Sequence, residues 1–234
     1  MRIDIDLGRP RSIQALVLVN DNLTTDAQLR FRAFDTVSDA KGPVRYDSGG
    51  FDRWPTLFST LDLNFEDSNW FGGKPLQEDI EKFRQDAIHI VEPSQVARFW
   101  QIDVTDTGSF DIGRLFIAGG RPPTLGPEYG LNIQSENNTR SSAVESGARY
   151  FDRRETYRVA RFRLPLQDTN EGVARALDLS REVGLDGEVF LILDSKDQRN
   201  IQRQSFLARF RRLPGVTYNF FDNVSSDYEL EEVQ

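Results

Sequence analysis

The chain has 234 residues, 38% of them hydrophobic and 28% charged, with a formal net charge of -8 and no cysteine. Such a length and apolar share suit one large or two modest domains with a proper core. The acidic balance offers no basic excess for a phosphate backbone, so nucleic-acid specificity is not expected. Without cysteine there are no disulfides, thiolate nucleophiles or sulfur-ligated metals. No run approaches the roughly 20 apolar residues of a membrane span, and MRIDIDLGRPRS has no apolar stretch after its basic start. A soluble chain with no membrane insertion and no cleaved signal is therefore expected.

Residues 3–7 alternate apolar and acidic, and after the turn-like GRPRS the aliphatic run 13–19 reads as a second, buried strand. QLRFRAF, residues 28–34, alternates Leu29, Phe31 and Ala33 with Gln28, Arg30 and Arg32, as a half-exposed strand does. The stretch from Tyr46 to Phe51 is a short strand broken by Gly49 and Gly50. Residues 52–94 mix aromatics with turn formers and read as a long excursion from the core. Within it, residues 75–87 carry Glu78, Asp79 and Glu81 early, with Ile80 and Phe83 at helical spacing, which predicts a short helix. RFWQIDV and FDIGRLFIAG, on either side of the turn TDTGS, read as a hairpin-like pair with Trp100 in the core.

The Gly/Pro-rich stretch 119–130 marks a domain boundary, giving domains at 1–120 and 129–234. Beyond it, strands are predicted around 129–134, 142–151 and 156–165, the last with an arginine-decorated solvated face. Residues 170–183 switch to a helical period through Val173, Ala174, Leu177, Leu179 and Val183, with Thr169 or Asn170 as the cap and Gly184 as the stop. Strands at 189–193, 202–211 and 218–230 close the chain, separated by the polar turns DSKDQRN and LPGV. The predicted fold class is mainly β, with one helix in the second domain.

Motifs for chemistry are sparse. His89 is the single histidine and sits between isoleucines, so a multi-histidine metal site is ruled out and a structural role in a strand is expected. There is no GxSxG elbow, no GxGxxG and no P-loop, so neither nucleophilic catalysis nor nucleotide binding is expected. Asp4, Asp6, Asp103, Asp106 and Asp111 are candidates for a glycosidase carboxylate pair, but strand alternation and turns explain their spacing better. The last three lack the spacing and glycine of a calcium loop. The expected inventory is therefore no catalytic residue, no metal and no cofactor. The sharpest site hypothesis is the set of aromatics Trp54, Phe58, Trp70 and Phe71, as an interface or as sugar-stacking platforms.

IDIDLGRPRSIQALVLVNDNL and the later ARFWQIDVTDTGSFDIGRLFIAG resemble the galactose-binding-like, discoidin-type jelly roll over the first half of the chain. Only six residues precede Leu7, so the resemblance implies a partial jelly roll or one completed by a neighbour. The succession YDSGGFDRWP, FEDSNWFGG, ARYFDRR and FLARFRRL looks like tail proteins of phages with long flexible tails. The second half is similar to the tail-tube-like β-sandwich or barrel domains of distal tail and baseplate proteins. The resemblance implies a non-enzymatic virion protein of the tail tip, made in the host bacterial cytoplasm. It would form a hexameric or trimeric homo-oligomeric ring and join other phage tail proteins: the tail tube, the tape measure and the hub. The alternative is a carbohydrate-binding module that contacts host surface glycans.

Overall fold

A computed structural model describes residues 1–35, 43–59, 61–80, 85–120, 122–143, 148–220 and 222–233, without the side chains of Gln77 and Asp79. The fold is mainly β, in several antiparallel sheets. The chain divides into two compact units. One is Met1–Gly120 together with Ile192–Gln204, and the other is Arg121–Leu191 together with Ser205–Gln234. The polar segment DSKDQRN, read from sequence as a turn of the second domain, thus belongs to the first unit.

In the first unit the strands are β1 (Arg2–Asp21), β2 (Gln28–Phe34), β3 (Val44–Asp47), β4 (Phe51–Asp52), β5 (Asp86–Thr105) and β6 (Ile112–Ala118). They form one sheet in the order β3-β2-β5-β1-β6, with β4 beside β2. Three sequence expectations are corrected. GRPRS is not a turn between strands: β1 runs through it, absorbing Gly8 at φ 73° in a register shift between Asp6 and Arg11. RFWQIDV and FDIGRLFIAG are not a hairpin, because β1 lies between β5 and β6 and pairs with both. The excursion is shorter than 52–94, because β5 begins at Asp86 and pairs through to Val19. Of the helix predicted over 75–87, the described part is the single turn Gln77–Ile80. Phe83 and Glu81 lie outside the described residues.

Alternation then builds the core. Leu16 and Leu18 of β1, Leu29, Phe31 and Ala33 of β2, and Trp100, Ile102 and Val104 of β5 gather in one buried cluster, with Ala87 and Val91 from the other half of β5. Both halves of the long β1–β5 ladder therefore contribute to the same core.

The second unit holds β7 (Asn132–Asn137), β8 (Arg140–Ala143), β9 (Arg149–Asp152), β10 (Thr156–Asp168), β11 (Val189–Leu191), β12 (Phe206–Arg212), β13 (Val216–Phe220) and β14 (Asn223–Glu232). Its main sheet runs β11-β12-β14-β10-β7, with β13 beside β14, while β8 and β9 pair only with each other. The predicted helix is present as three successive pieces, Thr169–Val173, a π segment Ala174–Asp178, and Leu179–Val183. Its cap is Asp168, whose carboxylate accepts from the Asn170 amide at 3.0 Å, and Gly184 ends it at φ 65°. Leu179 and Val183 pack against the buried cluster that contains Ala160, Leu164 and Phe206. On the outer face the arginines are tied into a cross-strand network. Arg161 meets Glu229 at 2.9 Å and Glu136 at 3.2 Å, and Arg211 meets Glu136 at 2.9 Å.

Candidate functional site

The four aromatics singled out from sequence do not form one surface. Trp54 is 6% exposed and lies in the wall of a cavity of about 620 Å³ in the first unit. That burial corrects the expectation of an exposed stacking ring at this position. Its neighbour Arg53 stacks its guanidinium over the indole at 4.2 Å, and its Nε donates to both oxygens of Asp21 at 3.1 and 3.2 Å. Both partners of that ion pair are buried. Arg53 Nη2 and Trp54 Nε1 find no hydrogen-bond partner among the described residues, so this wall holds two N–H donors in reserve.

Another part of the cavity lining is aromatic. The ring of His89 stacks on Phe31 and on Phe51, each 4.9 Å away between centroids. Its Nε2 lies 2.7 Å from the Tyr46 hydroxyl. Burial holds its pKa down, from 6.5 to about 4, so the imidazole is neutral at pH 7. A group whose folded pKa is depressed in this way binds its proton more readily in the unfolded chain. Stability is therefore expected to be level above pH 6.5 and to fall as the pH drops towards 4, by about 3 kcal/mol in all. Denaturation curves across that window check this, and His89→Gln should flatten the slope.

The rim of the cavity comes from the segment that sequence reading assigned elsewhere. Ser195, Lys196, Gln198, Ile201 and Gln202 line it. Gln202 anchors the segment by bracketing the Asp86 peptide, accepting from its N–H at 3.2 Å and donating to its carbonyl at 2.7 Å. Arg199 donates to the Leu57 carbonyl at 3.1 Å and covers the Phe58 ring at 5.5 Å. Phe58 is accordingly half-buried and packed under a cation.

Trp70 and Phe71 behave differently. Phe65, Trp70 and Phe71 meet edge to face, at 5.0 Å for Phe65–Trp70 and 4.7 Å for Trp70–Phe71. Phe65 is 75% and Phe71 87% exposed, and Leu61 is exposed beside them in the chain. The loop that carries them is closed by backbone bonds, from the amides of Leu57 and Phe58 to the Gly73 carbonyl at 2.9 and 3.0 Å. Gly73 sits at φ 59°, and a Cβ there would stand 2.3 Å from the Phe58 carbonyl oxygen. Gly73→Ala is therefore expected to cost about 1–3 kcal/mol locally, seen as faster hydrogen exchange over residues 56–73.

Asp103, Asp106 and Asp111 do not converge. Asp103 pairs with Arg2 and Arg32, and Asp106 accepts from Thr24 at 3.0 Å on its amide. Among the described residues no three histidine or carboxylate side chains gather as a metal site would require. No helix of the described residues is long and apolar enough to cross a membrane.

Comparison with protein-family models, curated proteins and solved structures finds no match to this chain. The functional reading therefore stands on the residues themselves. Sequence reasoning missed Arg53 and the cavity role of His89, for which no local signal exists, since the partners lie far away in the chain. It also missed the exposed pair Tyr150 and Phe151, for which there was a signal. Successive residues of a strand face opposite sides, so two large aromatics in a row cannot share one buried face.

Proposed function

We propose that this chain is a structural subunit of the tail tip or baseplate of a long-tailed bacteriophage. It works by assembly and not by catalysis, joining copies of itself in a ring between the tail tube and the hub. The observation that carries this reading is the exposed aromatic surface of Phe65 and Phe71, with Trp70 packed against the two phenylalanines and the exposed Leu61 near them in the chain. Contiguous apolar surface of this kind marks a protein partner more often than a soluble ligand. Further support comes from the sequence resemblance and from the arrangement of two β units. The first is read as a galactose-binding-like jelly roll and the second as a tail-tube-like β domain with one helix.

A carbohydrate-binding module is the second reading, favoured by the solvent-facing ring of Phe71 beside Trp70. The near-perpendicular setting of those two rings, at 86°, gives a sugar no shared flat platform, which weighs towards the protein partner. The test is the mass of the purified chain in solution, together with an electron-microscopy reconstruction of the parent particle. A symmetric ring of this chain at the tail tip, with the 61–73 surface buried between subunits, is the expected result. A monomer absent from any particle overturns the assembly reading, and binding on a glycan array would then establish the second one.

A further inference from the structure

The ribbon of β8 and β9 is the most exposed regular element of the described residues. All eight residues of its two strands are exposed, and neither strand pairs with anything but the other. It continues the β7–β10 pairing outward: Asn137 faces Thr156 in the sheet, and Arg140 faces Asp152 in the ribbon. The junction is tied by the Thr139 amide on Asn137 Oδ1 at 2.6 Å and the Arg154 amide on Thr139 Oγ1 at 3.1 Å. A two-stranded ribbon with no buried face is marginally stable alone, so a rooted one that carries Tyr150 and Phe151 into solvent has a surface to dock on.

Charge indicates which surface. Arg140, Arg149 and Arg153 form no ion pair among the described residues, and the acid Asp152 is already held by Arg154 at 2.8 Å. The ribbon is thus a cationic, aromatic element on a chain of formal charge -8. The excursion of the first unit has the complementary character. Asp62, Glu66 and Asp67 are interleaved with the exposed Leu61, Phe65 and Phe71; Asp62 is already met by Arg199 at 3.4 Å, while Glu66 has no cationic partner among the described residues.

We propose that the β8–β9 ribbon of one copy docks on the 61–71 excursion of a second copy, with arginines against carboxylates and Tyr150 and Phe151 against Phe65 and Phe71. The contact joins two different patches, so repeated head to tail it is able to propagate around a ring, as the reading above requires. Opposite charges at its rim set the partner and the association rate. This deepens the ring reading above and rests on it.

The absence of cysteine makes the test clean. Phe65→Cys and Tyr150→Cys chains are prepared separately, mixed and oxidised, with Phe65→Cys plus Arg181→Cys as the control pair. A disulfide-linked dimer from the first pair and not from the control is expected. Arg149→Glu is expected to weaken self-association by about tenfold, and Glu66→Lys on the partner chain to restore it. Three results would overturn the proposal. Rings that form without the specific cross-link sink the docking while leaving the tail-tip reading intact. A wild-type chain that is monomeric and absent from particles sinks both. A disulfide formed within one chain, in a variant carrying both cysteines, places the ribbon on its own excursion.

Discussion

Replacing Arg53 by methionine is expected to lower folding stability by about 3–5 kcal/mol. The side chains of Arg53 and Asp21 are 2% and 0% exposed, so their ion pair is shielded from water and from salt. Removing the guanidinium leaves the Asp21 carboxylate, among the described residues, with only the Leu23 amide, at 3.3 Å, to compensate its charge. It also uncovers one face of Trp54. The second substitution decides the interpretation. Arg53→Met combined with Asp21→Leu removes both charges, and most of the loss should then return, because an apolar pair of similar volume avoids the desolvation cost. Urea denaturation of the two single variants and the double variant measures the coupling. A cost below about 1 kcal/mol for Arg53→Met would mean that water reaches Asp21 in the folded chain.

Trp100→Ala should cost about 3–5 kcal/mol as well, for a different reason. Trp100 is fully buried in the middle strand β5, opposite Ile5 of β1 on one side and Ala33 of β2 on the other. Its ring lies 6.2 Å from that of Tyr46, which in turn reaches His89, so the indole supports the aromatic side of the cavity from behind. A void there removes packing from three strands at once. Phe71→Ala is the contrast: with the ring 87% exposed, stability should stay within about 0.5 kcal/mol, while any change appears in association. Equilibrium unfolding of the two variants side by side separates the core tryptophan from the surface phenylalanine.

Local pattern was readable where local physics decides. The 170–183 helix follows from its apolar period and its end at Gly184, and the strand 28–34 from strict alternation. What could not be read were choices among distant partners. RFWQIDV and FDIGRLFIAG have short-range hairpin character, yet β1 inserts between them because its aliphatic run can hydrogen-bond on both edges. The same non-local pairing carries β1 through the GRPRS bend. Trp54, in an aromatic and proline-containing stretch, looks like a surface ring by composition. It is drawn inside by the neighbouring Arg53, whose partner Asp21 lies at the end of β1. Phe65, Trp70 and Phe71 remained outside because the 57–73 loop closes on its own backbone and gives them no core to enter.

The passage of Ile192–Gln204 back into the first unit orders events during synthesis. The polypeptide leaves that unit at Gly120, returns at Ile192 and leaves again after Gln204. A nascent chain cut off near residue 120 would lack the Gln202 amide that brackets Asp86 and the side chains that rim the cavity. The amino-terminal unit therefore waits, at about 5–20 residues per second, for a stretch made several seconds later, and its completion reports that most of the carboxy-terminal unit has already left the ribosome.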